Sequence, residues 1–121
     1  MPTPPLISVI IVSWNSAEHL PHCLDCLTRQ TFQDFEVILV DNGSLDGGTN
    51  KIEQKYPQLA LHIERLVSNL GFAFANNLGA HLARGKWLAL LNADAFPAPD
   101  WLERLLEAAD KHPEFSFFSS R

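Results

Sequence analysis

Short apolar runs alternate along the chain with segments in which apolar residues recur every three or four positions. The runs are rich in Ile, Val and Leu, as is typical of strands buried in a parallel sheet. They predict strands at residues 6–12, 35–40, 59–67, 87–91 and 115–118. The segments between them predict helices at residues 16–30, 49–56, 72–83 and 99–112. Apolar and polar positions alternate in the third strand, which predicts a half-exposed strand near a sheet edge.

This alternation predicts an α/β fold with a mostly parallel, Rossmann-like sheet and helices on both faces, in the order β-α-β-α-β-α-β-α-β. The 121 residues are enough for one small domain. We expect residues 1–5 to be a disordered lead-in and residues 6–121 to form the domain. Because residues 115–118 have the pattern of a core strand just before the chain ends, we expect the domain to be truncated at its C-terminus.

Composition excludes several classes of partner. The net charge of −5 disfavours nonspecific binding to nucleic acid, which requires basic patches. No apolar run approaches the roughly 20 residues of a membrane-spanning helix. The N-terminal residues Met-Pro-Thr-Pro-Pro lack the basic and apolar regions of a secretory signal. We therefore expect a cytoplasmic protein; a position of the full-length protein at the inner face of the membrane is left open.

Two cysteines form a C-x-x-C pair on the first predicted helix, with two histidines at helical spacing beside them. The four residues are His19, His22, Cys23 and Cys26. A structural zinc site usually draws paired ligands from two segments, and this sequence has no second cluster. We interpret Cys23 as part of the helix core, with Cys26 beside it.

Polar clusters follow four of the predicted strands at the points where those strands end. The clusters are Trp14-Asn15, Asp41-Asn42-Gly43-Ser44, Ser68-Asn69-Leu70-Gly71 and Asn92-Ala93-Asp94. Ligands of open α/β sheets bind just beyond the carboxyl ends of the strands. We therefore expect the four clusters to converge on one crevice.

The first two clusters each have a functional and a structural interpretation. Trp14 could stack on a nucleobase or pack over the sheet edge, and Asn15 could hold the turn or cap the following helix. Asp41 could accept a hydrogen bond from a base N–H or a ribose hydroxyl. With Asn42 and Gly43, it could equally belong to a tight turn.

The other two clusters favour phosphate and metal. Gly71 precedes a predicted helix whose N-terminal N–H groups favour phosphate, although it could also belong to a simple loop. Asn76 on that helix could face the ligand or a neighbouring backbone. Asp94 and Asn92 offer a carboxylate and an amide oxygen, which can bind Mg²⁺ or Mn²⁺ when substrate phosphates supply further ligands. The alternative is that Asp94 only sets up the turn before Pro97.

Four segments of the sequence together resemble the family-2 glycosyltransferases of the GT-A fold, and in particular their rhamnosyltransferase-like branch. The segments are S-V-I-I-V-S-W-N-S, F-E-V-I-L-V-D-N-G-S-L-D-G, N-L-G-F-A-F-A-N-N-L-G and G-K-W-L-A-L-L-N-A-D-A-F-P. The resemblance implies the nucleotide-sugar-binding half of a GT-A domain. It implies transfer of a sugar, with inversion, from a UDP- or dTDP-linked donor to a hydroxyl of a glycan or lipid-linked acceptor. The pathway it implies is synthesis of surface polysaccharide or cell-wall glycan.

The resemblance also assigns roles around the nucleoside. It implies that Val12 and Trp14 hold the base, with Asn15 in the same loop. It implies that Asp41, followed by Asn42, hydrogen-bonds uracil or thymine.

For the phosphate end of the donor, the resemblance places Gly71 and Asn76 near the ribose and phosphates. It makes Asp94 the last acid of a D-x-D motif that binds a divalent cation, Mg²⁺ or Mn²⁺. The sequence departs from the family at two of these positions. Asn92 replaces the first acid of D-x-D, and Asn76 stands where many relatives carry Arg. The family's catalytic base belongs to the acceptor-binding half, beyond residue 121, so we assign no catalytic residue.

Other classes of protein fit the sequence less well. A noncatalytic GT-A-like binding module is consistent with the neutral Asn92 and Asn76. A receiver-type signalling domain needs an acidic pair after the first strand, where this chain has Ser-Trp-Asn. A nucleotidyltransferase usually has a Gly-rich loop with Arg and Lys at the same place, and Trp14-Asn15-Ser16 does not supply one.

Overall fold

The computed structural model describes residues 3–114. Its elements are β1 (Ile7–Ser13), α1 (Leu20–Thr28), β2 (Phe35–Asp41), α2 (Ile52–Lys55), β3 (Leu61–Arg65), α3 (Phe72–Leu82), β4 (Trp87–Asn92) and α4 (Trp101–Lys111). This order confirms the α/β alternation expected from the sequence. The predicted fifth strand, at residues 115–118, lies outside the described residues.

The four described strands form one parallel sheet in the order β3-β2-β1-β4. β1 and β2 are central and almost wholly buried, as their continuous apolar runs predict. β3 lies at an edge and is half exposed, which confirms the prediction from its alternating pattern. The strand order reverses between β1 and β4, so a topological switch point lies between these two strands.

Helices cover both faces of the sheet because successive strand residues point to opposite sides. On one face, residues such as Val9, Ile11 and Leu39 pack with the apolar sides of α1 and α4. On the other face, Ile10, Ile38 and Val40 pack against α3. α3 packs closely against β1 because Gly79 has no side chain. A Cβ at this position would lie only 2.6 Å from Cγ2 of Ile10.

Two elements are shorter than the sequence suggested. The second helix was expected at residues 49–56 but is a single turn, Ile52–Lys55, preceded by Lys51 in a left-handed conformation with φ of 58°. The third strand was expected at residues 59–67, but the paired segment is Leu61–Arg65.

No helix within the described residues is long and apolar enough to cross a membrane.

A buried carboxylate joins three segments at the amino end of the sheet. Glu36 accepts hydrogen bonds from the Ser8 hydroxyl (2.6 Å), the Arg84 N–H (2.7 Å) and Nε of Arg84 (3.2 Å). Ser8 in turn accepts a hydrogen bond from the N–H of Gly85 (2.8 Å). Burial alone would raise the pKa of Glu36, but the bonds from Ser8 and Arg84 outweigh it and hold this pKa below its usual value. Glu36 therefore ties β1 and β2 to the α3–β4 connection.

We predict that Glu36→Gln lowers the free energy of unfolding at pH 7 by about 1–3 kcal/mol, because it removes a hydrogen-bonded buried charge facing Arg84. The folded-state pKa of Glu36 is depressed, so its stabilisation is present at neutral pH and disappears as the pH falls through and below the usual range of a glutamate. Urea denaturation at pH 7 and pH 3 should show a smaller acid-induced loss in Glu36→Gln than in wild type. Equal acid sensitivity of the two proteins would contradict this account.

Candidate functional site

The polar clusters after the strands meet at the carboxyl edge of the sheet. Ser13 at the end of β1 pairs in register with Asp41 of β2, and Val12 pairs with Asn92 of β4. After β3, the N–H of Leu66 donates to the carbonyl of Asp41 (2.8 Å). The four clusters therefore come together as the sequence suggested, around the switch point where an open α/β sheet binds its ligands.

The loop after β1 leaves its aromatic side chain in solvent. Trp14 is 54% exposed, which leaves its ring free to stack on a planar group. Asn15 has a left-handed φ of 48° and does not cap α1, whose N-cap residue is His19. Its N–H donates to Oγ of Ser44 (2.9 Å), and its Oδ1 accepts from the N–H of Leu45 (2.8 Å). Asn15 therefore joins the β1–α1 and β2–α2 connections.

A second acid strengthens the junction between these two connections. The carboxylate of Asp46 accepts hydrogen bonds from the N–H of Ala17 and the N–H of Gly48, both at 2.9 Å. These two backbone bonds lower the pKa of Asp46. The backbones are so close that a Cβ at Gly48 would lie 2.9 Å from Cα of Ala17. The two connections therefore form a single surface.

Asp41 is buried, and both of its oxygens are bound within the protein. Oδ1 accepts from the N–H of Ser44 (3.0 Å) and Oδ2 accepts from the hydroxyl of Thr49. Arg65 donates to the carbonyl of Thr49 (2.7 Å) and pairs with both carboxylate oxygens of Glu53, each at 3.1 Å. The carboxylate of Asp41 thus organises the β2–α2 connection. This role of Thr49 was missed in the sequence analysis, because its position was assigned to the start of a helix.

Asn42 directly follows β2 and holds the β3–α3 connection. Its Nδ2 donates to Oδ1 of Asn69 (3.1 Å) and to the carbonyl of Gly71 (3.3 Å), and its Oδ1 accepts from the N–H of Leu70 (3.0 Å). Gly71, the N-cap residue of α3, has a φ of 93° that favours glycine.

Asn76 is half-buried on α3. The half-buried Val12 packs against the apolar cluster beneath that helix.

The loop after β4 rests on the first turns of α1. Asn92 and Asp94 are both exposed, and the N–H of Ala95 closes the turn on the carbonyl of Asn92 (3.0 Å). The thiol of Cys23 donates to the same carbonyl (3.7 Å). The ring of Phe96 stacks on His22 with centroids 4.0 Å apart and planes inclined by 19°. These contacts fix the loop without using the Asp94 carboxylate.

The oxygen donors of this loop suit a hard cation only in part. Within residues 3–114 no three His, Cys, Asp or Glu side chains are grouped closely enough to hold a metal. None of the ion pairs between described residues includes Asp94. An exposed carboxylate beside an amide oxygen fits Mg²⁺ or Mn²⁺ when water and phosphate complete the coordination. The residues therefore fit a cation that arrives together with a phosphate ligand.

The C-x-x-C pair is part of the core. Cys23 and Cys26 are buried free thiols, which confirms the interpretation made from the sequence. Burial first, and then the nearby charges of Cys26 and Asp94, raise the pKa of Cys23 to about 12. A thiol in this state is a poor nucleophile and a poor metal ligand.

The sequence matches glycosyl transferase family 2 over residues 8–120, and the chain therefore belongs to this family. Glycosyltransferase AglE of Haloferax volcanii is 39% identical over 106 residues, which are 84% of this chain and 34% of that protein. A PGL/p-HBAD biosynthesis glycosyltransferase of Mycobacterium tuberculosis is 43% identical over 94 residues, which are 74% of this chain and 36% of that protein. The chain thus spans about a third of the length of these relatives.

Solved structures share the fold. Staphylococcus aureus TarS 1–349 in complex with UDP superposes with a TM-score of 0.79 at 29% identity, covering 88% of this chain and 32% of that one. The mannosyltransferase PcManGT of Pyrobaculum calidifontis, in complex with GDP-Man and Mn²⁺, gives a TM-score of 0.80 at 28% identity, with the same coverage. These similarities agree with the Rossmann-like GT-A architecture expected from the sequence.

We predict that Thr49→Val lowers the free energy of unfolding by about 1.5–3 kcal/mol, because it leaves a buried carboxylate oxygen of Asp41 without its donor. Thr31→Val is a matched control, since the Thr31 hydroxyl also donates to a carboxylate, that of Glu103 (2.7 Å), at an exposed position. The control should cost less than about 1 kcal/mol. Urea denaturation of both variants measures the difference, and equal losses would argue against a special role for Thr49.

We also predict that Cys23 resists alkylation by iodoacetamide at pH 8 in the folded protein, because its thiol is buried and its pKa is about 12. Mass spectrometry after timed quenching would locate any modified cysteine. Protein unfolded in urea should react at both cysteines and serves as the positive control. Rapid labelling of Cys23 under native conditions would show that α1 does not bury it.

Proposed function

We propose that this chain is the donor-binding part of a glycosyltransferase that transfers a sugar from a nucleoside-diphosphate sugar to a hydroxyl acceptor. The observation that carries the proposal is the convergence of the loops after all four strands, with the exposed Asp94 at the switch point of the sheet. Supporting it, TarS and PcManGT share this fold, and their solved structures include complexes of TarS with UDP and UDP-GlcNAc and of PcManGT with GDP-Man. Residues 6–121 would form the donor-binding part of a longer GT-A domain.

In this proposal the nucleoside lies over the carboxyl ends of β1 and β2. Val12 and the exposed ring of Trp14 would contact the base, since an aromatic face stacks on any base. The resemblance pairs Asp41 with uracil or thymine, but both oxygens of its carboxylate already accept hydrogen bonds within the protein. Asn15 and Asp41 would therefore support the site by holding the surrounding loops. Asn42 likewise would contribute by holding the β3–α3 connection.

The diphosphate would extend from the nucleoside toward β4. Gly71 and Asn76 would lie beside the ribose and phosphates, at the start of α3. Asp94, with Asn92, would hold a Mg²⁺ or Mn²⁺ ion against the diphosphate. When bound, such an ion neutralises the charge that builds on the leaving group during sugar transfer.

Finer features are also proposed, on the strength of the sequence resemblance. The donor would be linked to UDP or dTDP, and transfer would invert the anomeric carbon. The acceptor would be a glycan or a lipid-linked hydroxyl compound, in synthesis of surface polysaccharide or cell-wall glycan by an enzyme of the rhamnosyltransferase-like branch. The general base would come from the acceptor-binding part, beyond residue 121.

A noncatalytic nucleotide-binding module is the second candidate. It is favoured by Asn92, which leaves the loop after β4 with one carboxylate where a D-x-D motif has two. Such a module would bind nucleotide without a dependence on metal. The two candidates therefore differ in whether metal and nucleotide stabilise the protein together.

We predict that the melting temperature rises when UDP, dTDP or GDP is added together with Mn²⁺, and that Asp94→Asn abolishes the metal-dependent part of the rise. At a nucleotide concentration one hundred times the Kd, the stabilisation should be about 2.7 kcal/mol. Differential scanning fluorimetry measures it, with the nucleotides compared to find the preferred base. Asp34→Asn, which changes an exposed acid in the connection before β2, is the control.

Three results would decide between the candidates. Joint stabilisation lost only in Asp94→Asn supports the glycosyltransferase donor site. Stabilisation by nucleotide that is independent of Mn²⁺ and of Asp94 supports the noncatalytic module. No shift with any of the three nucleotides would contradict both.

A further inference from the structure

Gln30 is a buried side chain of the α1–β2 connection that reaches across to the connection between β4 and α4. It is only 3% exposed. Its Nε2 donates to the carbonyls of Ala98 (2.7 Å) and Cys26 (3.3 Å), and its Oε1 accepts from the N–H of Leu102 (3.1 Å). The side-chain amide is therefore used on both its donor and its acceptor side.

The bond from Leu102 to Gln30 takes the place of a side-chain cap on α4. The first N–H groups of a helix have no partner within the helix. Asp100, the N-cap residue of α4, makes no side-chain cap hydrogen bond. Gln30 therefore fixes the start of α4, and the N–H of Thr31 adds a bond to the carbonyl of Pro99 (2.8 Å).

The chain between this anchor and Asp94 is stiff. Pro97 and Pro99 each hold their own φ at about −65°, and each also restricts the residue before it. All four residues from 96 to 99 are therefore restricted. A displacement of Ala98 is then passed along toward Asp94 rather than absorbed on the way.

The helix α1 and the residues just after it hold the β4–α4 connection along its length. The three contacts are those of Cys23 with the carbonyl of Asn92, His22 with Phe96 and Gln30 with Ala98. The first two lie on the first turns of α1. The third lies beyond the other end of this helix, whose nine residues span roughly 13 Å.

We infer that Gln30 is a positioning residue for the cation site: it fixes residues 96–99 at Ala98 and thereby sets where Asp94 lies, without contacting the ligand. The inference rests on the proposed function, in which Asp94 holds a Mg²⁺ or Mn²⁺ ion against the diphosphate. It goes further by placing control of that acid in a buried network at the far end of α1.

The variant Gln30→Glu breaks the anchor selectively. The glutamate keeps an acceptor for the N–H of Leu102, but it turns a carboxylate oxygen toward the carbonyl of Ala98, where the amide donates. Gln33→Glu adds the same charge at an exposed position of the same connection and is the control. Both are measured at pH 7.5, well above the usual pKa of a glutamate.

Hydrogen exchange followed by NMR, with no ligand present, tests the link between the anchor and the turn after β4. The N–H of Ala95, which closes that turn on the carbonyl of Asn92, should exchange roughly tenfold faster in Gln30→Glu but not in the control. The N–H of Leu66, bonded in the loop after β3, should change by less than about twofold. No change at Ala95, or equal acceleration at both N–H groups, would contradict the inference.

Cation binding tests the consequence of that link. By isothermal titration with UDP at saturation, the Kd for Mn²⁺ should rise roughly tenfold in Gln30→Glu, while the Kd for UDP without metal changes by less than about twofold. A residue that only stabilised the fold would move both constants or neither. In an Asp94→Asn background, Gln30→Glu should cause no further loss of Mn²⁺ affinity, because the group that it positions is already removed.

Pro97→Gly tests the same link without altering Gln30, and it serves even if Gln30→Glu does not fold. Glycine frees φ at position 97 and lifts the restriction on Phe96, so the affinity for Mn²⁺ should fall several-fold. Pro57→Gly makes the same change at an exposed position of the α2–β3 connection and is the control. Equal Mn²⁺ affinities of the two proline variants would contradict transmission through residues 96–99.

The outcomes separate the inference from the function on which it rests. Faster exchange at Ala95 together with weaker Mn²⁺ binding, both confined to Gln30→Glu, supports the inference. If Gln30→Glu binds Mn²⁺ as tightly as Gln33→Glu does, the inference is overturned while the proposed function stands. If wild type binds none of UDP, dTDP and GDP with Mn²⁺, the proposed function fails, and the role of Gln30 in the cation site fails with it.

Discussion

The loops at the carboxyl edge of the sheet depend on hydrogen bonds made at the end of β2. Asp41 is the last residue of β2 and Asn42 follows it directly, and their side chains bind two different connections. Asp41 binds the β2–α2 connection through Ser44 and Thr49, and Asn42 binds the β3–α3 connection through residues 69–71. Two neighbouring polar residues at the carboxyl end of one buried strand therefore set the position of two loops.

Connections of this kind need internal hydrogen bonds because they have few apolar contacts of their own. The β2–α2 connection leads into a helix of only one turn, and Arg65 supports both by binding the carbonyl of Thr49 and the carboxylate of Glu53. A polar side chain near the amino end of β2 also holds a loop, since Glu36 binds Arg84 of the α3–β4 connection. The apolar centre of β2 joins the two core layers, while its polar ends hold the loops. Stability and site geometry are thus determined by the same strand.

Much of the fold could be predicted because strands and helices leave local patterns. The edge position of β3 followed from its alternating residues, and the convergence of the polar clusters followed from the rule for parallel sheets. The partners within the site could not be predicted, because the bonds of Asn42 to Asn69 and of Asp41 to Thr49 join loops whose meeting depends on the tertiary structure. The sequence also left the surroundings of Asp41 open, because D-N-G-S is typical of a turn and gives no sign of the partners that enclose its carboxylate.

The loop after β4 shows why a single carboxylate could suffice for a cation site that forms only with substrate. This loop is held on α1 by the stacking of Phe96 on His22 and by the bond from Cys23 to the carbonyl of Asn92. Asp94 has no part in that support, so its charge remains available to a ligand. With the neutral Asn92 beside it, one carboxylate would hold Mg²⁺ or Mn²⁺ weakly until phosphate oxygens joined the coordination. The affinity for the metal would then depend on the nucleotide, and the affinity for the nucleotide would depend equally on the metal, because coupling between two binding events is reciprocal.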